Sequence, residues 1–136
     1  EAPGGAGVIV AVGLDLVEIA RVRRAAENHP ERFLARCFHP EELAELAGRK
    51  DVYPGLAARF AAKEAFAKVW PGSLGWRDVW VVKEGMRPVL RASPRLAAAM
   101  EREGLVAHLS LSHAVDHAAA VVVLERRDPP RGEGPA

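Results

Sequence analysis

The stretch RFAAKEAFAK, residues 59–68, sets Lys63 and Glu64 in the middle of a run of Ala and Phe that belongs in a core. A carboxylate taken out of water is costly unless a partner compensates it, so this position asks for a reason. Two reasons are open. In the first, Glu64 pairs with Lys68 one helical turn on, in the favourable acid-then-base order, while Arg59 and Lys63 snorkel outward. In the second, Glu64 lines a pocket and holds a metal ion, with cations nearby for an anionic substrate. VGLDLVEI, residues 12–19, offers another carboxylate. Asp15 falls where a strand runs into a helix, and Asp15-x-x-Glu18 has the spacing of a capping box. Asp15 can equally face the same pocket as Glu64, since two carboxylates with waters and substrate phosphates are a normal way to hold Mg²⁺. The two roles are not wholly exclusive.

LSLSHAVDHAAA, residues 109–120, is the third stretch with reactive side chains. Its alternation puts Leu109, Leu111 and His113 on one face and Ser110 and Ser112 on the other. An inward histidine is ordinarily a satisfied core residue. Ser112, His113 and Asp116 invite a hydrolase reading, but neighbours on a strand point to opposite faces, which separates the nucleophile from its base. His113 and His117 would ligate zinc only from a helix, and the alternation argues for a strand.

The elements that hold these residues follow from periodicity and punctuation. VIVAVG reads as a buried strand, and LDLVEIARVRRAAEN then takes helical spacing, with Leu16, Ile19, Ala20 and Arg23 on one side. ERFLARC fits a short helix. Pro40 opens EELAELAG and Gly48 ends it. Residues 56–70 form the longest helix, closed by Pro71-Gly72, with apolar side chains nearly all round; such a helix is buried in its own core or against another subunit. VWVVK and PVLR are strands joined near Gly85. Ser93 caps a helix that Gly104 stops. HLSLSH and AAAVVVLE are strands, the last a central one. The order β-α-α-α-α-β-β-α-β-β is a segregated α+β pattern. The fold expected is an antiparallel sheet packed with a long central helix, one domain over residues 8–125. Residues 1–7 and 126–136, rich in Gly and Pro, are expected to be flexible termini.

Bulk composition narrows the function classes. A chain of 136 residues and net charge +1 is one ordinary globular domain with nothing that demands a nucleic acid. Cys37 is the only cysteine, which excludes an intramolecular disulfide and suits a reducing, cytoplasmic setting. No apolar run reaches membrane-spanning length, and the first residues do not read as a signal peptide. Charge is uneven locally: Arg21, Arg23, Arg24, Arg32 and Arg36 stand against Glu27 and Glu31. Such an excess is a solvated helix face or a surface that steers an acidic partner.

Together, VGLDLVEIARV, LAARFAAKEAFAK and LSLSH with AAAVVVLE closely resemble the bacterial holo-[acyl-carrier-protein] synthases, the short single-module 4′-phosphopantetheinyl transferases. The resemblance runs from about Val8 to Glu125. It implies the fold of that family, homotrimers with active sites between subunits, and Mg²⁺-dependent transfer of 4′-phosphopantetheine from coenzyme A to a serine of apo-acyl carrier protein. Adenosine 3′,5′-bisphosphate is released, and the setting is fatty acid biosynthesis. By position, Asp15 and Glu64 match the metal ligands, and Lys68 the lysine facing the phosphates. Arg59 and His113 match coenzyme A positions, and Arg21, with Arg24 beside it, the carrier-binding surface. Glu64, Lys68 and His113 are then the catalytic candidates. The family's Gly-Thr-Gly after the long helix is here Pro71-Gly72-Ser73, so a phosphate contact falls to Gly72 and Ser73. Its Gly-Lys-Pro is here Met86-Arg87-Pro88. Two other classes compete: a non-enzymatic module that binds a nucleotide or an acidic protein, and a metal-dependent phosphodiesterase using the same two carboxylates.

Overall fold

The computed structural model describes residues 7–127. A strand, β1 (Gly7–Glu18), leads into four helices: α1 (Ile19–Asn28), α2 (Pro30–Cys37), α3 (Pro40–Leu46) and α4 (Tyr53–Val69). The hairpin β2 (Val79–Glu84) and β3 (Arg87–Ala92) follows, then α5 (Pro94–Glu103) and the hairpin β4 (Leu105–His113) and β5 (His117–Arg127). The element order is the one read from periodicity. Punctuation acts as expected at α5, where the Ser93 hydroxyl accepts the Leu96 N–H and Gly104 closes the helix at φ +68°. Gly85 makes the β2–β3 turn at φ +65°.

All strand pairing is antiparallel, in a three-stranded sheet of order β1-β5-β4 and a separate β2-β3 pair. β5 is the central strand, and its alternate residues Ala118, Ala120, Val122 and Leu124 are buried against α4. α4 answers with Ala57, Ala58, Ala61, Ala62 and Ala65, whose small side chains bring helix and sheet close. Gly13 marks the closest approach: a Cβ there would lie 2.2 Å from the carbonyl oxygen of Ala65. Leu56, Phe66 and Val69 fill the remaining space, each worth about 1.5–3 kcal/mol of apolar burial.

The other side of α4 meets α1, α3 and β2. The helix is therefore buried on most sides within one chain, with Ala67 and Lys68 exposed, and its apolarity needs no second subunit to explain it. Lys63 and Arg59 do not snorkel outward; both are 3% exposed. Lys63 Nζ pairs with Glu42 at 2.9 Å and donates to the Val79 carbonyl at 2.6 Å. Arg59 pairs with Glu45 at 2.7 Å. Glu42 and Glu45 also accept the backbone N–H groups of Val81 and Lys83, so α3 ties α4 to the free edge of β2.

Several boundaries differ from expectation, among them the long helix, which runs Tyr53–Val69 and not 56–70. β1 continues to Glu18, so Asp15 lies inside the strand, and Glu18 is the α1 N-cap without a side-chain cap bond. The capping box at Asp15-Glu18 is not formed, and α1 buries Ile19, Val22 and Ala26 in place of the face that includes Leu16 and Arg23. Gly7, Arg126 and Arg127, expected in flexible termini, belong to β1 and β5. Residues 1–6 and 128–136 of those termini lie outside the described residues. No helix among the described residues is long and apolar enough to cross a membrane.

Candidate active site

Asp15 sits on the α4-facing side of β1, two residues beyond Gly13, and is half-buried. Same-face neighbours on a strand are about 6.8 Å apart, so Asp15 stands one step along from the Gly13–Ala65 contact. Glu64 precedes Ala65 on α4 and is also half-buried. The helix–strand contact that only glycine permits brings β1 and α4 together beside both residues, but Asp15 does not line the pocket that Glu64 lines. Lys68 reaches across from α4: its Nζ donates to the Leu14 carbonyl at 2.6 Å and lies 3.4 Å from Asp15 Oδ1. The i, i+4 pair of Glu64 with Lys68 is not formed, and Glu64 has no ion pair among the described residues. Its pocket, about 230 Å³, is walled by Lys63, Ala67, Leu74 and Trp76.

No three His, Cys, Asp or Glu side chains gather into a metal cluster among the described residues. The donor set available for a cation here is two carboxylates, Asp15 and Glu64. That set fits Mg²⁺, which retains several waters and takes its other oxygens from a substrate's phosphates.

Arg59 and His113, far apart in the sequence, line one cavity of about 450 Å³ between the start of α4, the β2–β3 hairpin and the end of β4. His113 is exposed at the last position of β4 and is not a core histidine. Arg49 and Lys83 line the same cavity and were not singled out from sequence. Nothing local marks them, because Lys83 belongs to a hairpin and Arg49 to a turn that only tertiary folding brings to α4. Arg59 is committed to Glu45, although its Nε has no hydrogen-bond partner among the described residues. Burial opposes ionisation of Glu45, but the Lys83 N–H and the Arg59 guanidinium outweigh it and hold the carboxyl below its usual range. Burial pulls the Lys63 ammonium below its usual value, and Glu42 opposes that shift.

Gly72 and Ser73 lie elsewhere. Both are exposed beyond the end of α4; Gly72 lines a cavity with Trp70, Arg102 and Arg126, and the Ser73 carbonyl accepts from Arg95. Within one chain these two do not share the Arg59–His113 cavity. Arg21 and Arg24 are exposed on α1, and neither takes part in an ion pair among the described residues. Arg23 between them is used internally, paired with Asp51 at 3.2 Å and stacked on Tyr53. The hydrolase arrangement has no geometry behind it: Ser112 and His113 are consecutive on β4, and Asp116 pairs with His117.

A family model of the 4′-phosphopantetheinyl transferase superfamily matches residues 11–122, from within β1 to within β5. The chain belongs to this superfamily. Within it, a holo-[acyl-carrier-protein] synthase of Thermus thermophilus is 61% identical over 120 residues, spanning 88% of this chain and 96% of that protein. One from Deinococcus radiodurans is 50% identical over 126 residues, spanning 87% and 94%. The solved holo-[acyl-carrier-protein] synthase of Neisseria meningitidis superposes with a TM-score of 0.79 at 31% identity, over 86% of this chain and 98% of its own. The synthase of Helicobacter pylori in complex with coenzyme A gives 0.71 at 30% identity, over 84% and 99%. The protein is therefore an enzyme of the holo-[acyl-carrier-protein] synthase group, with that group's fold.

Proposed function

We propose that the protein transfers 4′-phosphopantetheine from coenzyme A to a serine of an apo-acyl carrier protein, with Mg²⁺, as a cytoplasmic step of fatty acid biosynthesis. The observation that carries this reading is the contact of Lys68 with Asp15, made from the helix that bears Glu64. The solved relatives from Bacillus anthracis and Helicobacter pylori, described in complex with coenzyme A, support the choice of donor.

The serine oxygen attacks the phosphorus that carries pantetheine. The bond from that phosphorus to the bridging oxygen breaks, and adenosine 3′,5′-bisphosphate leaves with the electron pair. Asp15 and Glu64 would hold Mg²⁺, which would supply Lewis acidity to the pyrophosphate and charge to the leaving group. Lys68 shares the phosphate charge from its place beside Asp15. Glu64, which has no lysine partner among the described residues, takes the serine proton through a water. No protein nucleophile is needed, because such displacement depends mainly on positioning and electrostatics. Arg59 and His113 line the cavity for the nucleotide end of coenzyme A; Gly72 and Ser73, which lie outside that cavity within one chain, would reach its phosphates only from a neighbouring subunit. Arg21 and Arg24 on α1 meet the acidic carrier.

The assay is direct. With coenzyme A, Mg²⁺ and apo-carrier, mass spectrometry reads the added phosphopantetheine on one serine; EDTA, Asp15→Ala and Glu64→Ala each abolish it. Coenzyme A remains intact without the carrier. Cleavage in the absence of carrier would favour a phosphodiesterase, and binding without turnover a non-enzymatic module. Arg21→Glu with Arg24→Glu weakens carrier binding while coenzyme A binding is kept; equal loss of both in a folded protein rejects that surface.

A further inference from the structure

Residues 70–78 join α4 to β2 without helix or strand, carry two glycines and are mostly exposed. A segment with so little burial is ordered only where specific bonds outweigh the entropy of fixing its backbone. Yet Leu74 and Trp76 of this segment wall the pocket that Glu64 lines. The bonds that hold it converge on one side chain. Asp78 Oδ2 accepts the Gly75 N–H at 2.7 Å, and the Asp78 N–H donates to the Gly75 carbonyl at 3.1 Å. Residues 75–78 are thereby closed into a tight turn with Trp76 inside it. The same carboxylate ties the turn to the start of α5. Its Oδ1 accepts the Ser93 hydroxyl at 2.6 Å, and Arg95 binds its Oδ2. The Ser93 N–H adds a bond to the Asp78 carbonyl at 2.8 Å, and Arg95 also reaches the Ser73 carbonyl at 3.4 Å.

The Asp78 side chain is 17% exposed. Burial opposes its ionisation, but the Ser93, Gly75 and Arg95 bonds outweigh that and hold the carboxyl below its usual range. The turn places Trp76 on Phe60, ring centroids 5.0 Å apart and 21° from parallel. Phe60 precedes Glu64 by one turn of α4 and shares its face. The indole is therefore held from two sides, by the stack beneath it and by the turn that carries it. A carboxylate that handles a proton beside a phosphoryl group works best where geometry is fixed and water is excluded. We propose that Asp78 is a positioning residue for the transfer: through the 75–78 turn it holds Leu74 and Trp76 as the wall of the Glu64 pocket. Asp78 itself touches neither substrate nor reacting atoms. This rests on the coenzyme A reading above and adds to it an anchor that lies outside the site.

The test joins ¹⁹F NMR of the full chain, labelled with 5-fluorotryptophan, to the carrier-modification assay. The chain has three tryptophans, and Trp76→Phe identifies the Trp76 signal. In Asp78→Ala the Trp76 signal moves, while that of Trp80, stacked on His39 and bonded to Glu41, stays. The same variant lowers kcat about 10- to 100-fold, the scale of a small misplacement transmitted from outside the chemistry, with native circular dichroism. Asp78→Asn, which keeps an acceptor for the Gly75 N–H, returns the Trp76 signal and most of the rate. Trp76→Ala removes the wall directly, so adding Asp78→Ala to it costs little more. An unmoved Trp76 signal in Asp78→Ala, or losses that multiply in the double variant, overturns the role of Asp78. A wild-type protein that modifies no carrier overturns the coenzyme A reading itself, and the positioning role falls with it.

Discussion

At the scale of single residues, the charges inside RFAAKEAFAK divide into two jobs. Lys63 is structural: its ammonium is held between Glu42 and the Val79 carbonyl, and Glu42 is 0% exposed. Removing one partner of such a pair leaves a buried charge alone. Lys63→Met is expected to destabilise the fold by about 3–5 kcal/mol in denaturant titration, and Glu42→Gln added to it to recover part of the loss. Additive losses would show that the two groups do not act as a pair. Glu64 is proposed for the other job, in the site. This division was not legible locally, because the partners of Lys63 and Arg59 lie on α3, well before α4 in the chain. Asp15 and Glu64 were legible as candidates, since a strand-end carboxylate and a core glutamate each lack an apolar reason to exist. The contact of Asp15 with Lys68 required the fold, as the local spacing pointed to Glu64 for that lysine.

At the scale of elements, strong punctuation made most of the architecture readable: Pro40, Ser93 and Gly104 sit at the ends they were expected to mark. The error at β1 has a physical cause. Leu14 and Leu16 point to the outer face, so strand residues 14–18 lack the usual polar-out alternation and mimic a helix start. The helix–strand contact at Gly13 gives a test of how the site is held. Gly13→Ala forces a methyl against the Ala65 carbonyl and is expected to cost about 1–3 kcal/mol. It should also weaken Mg²⁺ binding in isothermal titration, by parting Asp15 from Glu64; intact metal affinity would detach the contact from the site. The α3 cap gives a second test. His39 Nδ1 accepts the Glu41 N–H, and the ring stacks on Trp80 at 3.9 Å. Burial lowers its basicity first; Glu41 and Glu42 oppose that shift, while Arg77 and Lys63 add to it. Folding therefore favours the neutral ring. This contribution is complete above the ordinary histidine value of about 6.5 and is lost as pH falls through the lowered folded value. His39→Asn, which keeps a cap acceptor, should flatten the thermal-stability profile in that window.

At the scale of the whole molecule, the surface open to a second copy lies in the sheet and not in α4. Val12, Leu14 and Leu16 are 61%, 61% and 66% exposed along the outer face of β1. Val123, Val121 and Ala119 of β5 stand beside them in register, half-buried, so the face continues across the central strand. A contiguous apolar face on an otherwise nearly neutral chain marks an association surface, and closed symmetry is the usual way for identical copies to cover one. A homotrimer, proposed from the family resemblance, would bury it. Val121→Arg on β5 places a charge in the middle of this face, away from α4 and from Asp15. Sedimentation should then shift from trimer to monomer, and the concentration dependence of the melting temperature should disappear. If active sites are shared between subunits, carrier modification falls with the mass, while circular dichroism of the monomer stays native. A wild-type protein that sediments as a monomer and still modifies the carrier would leave this face without its partner and place the complete site in one chain.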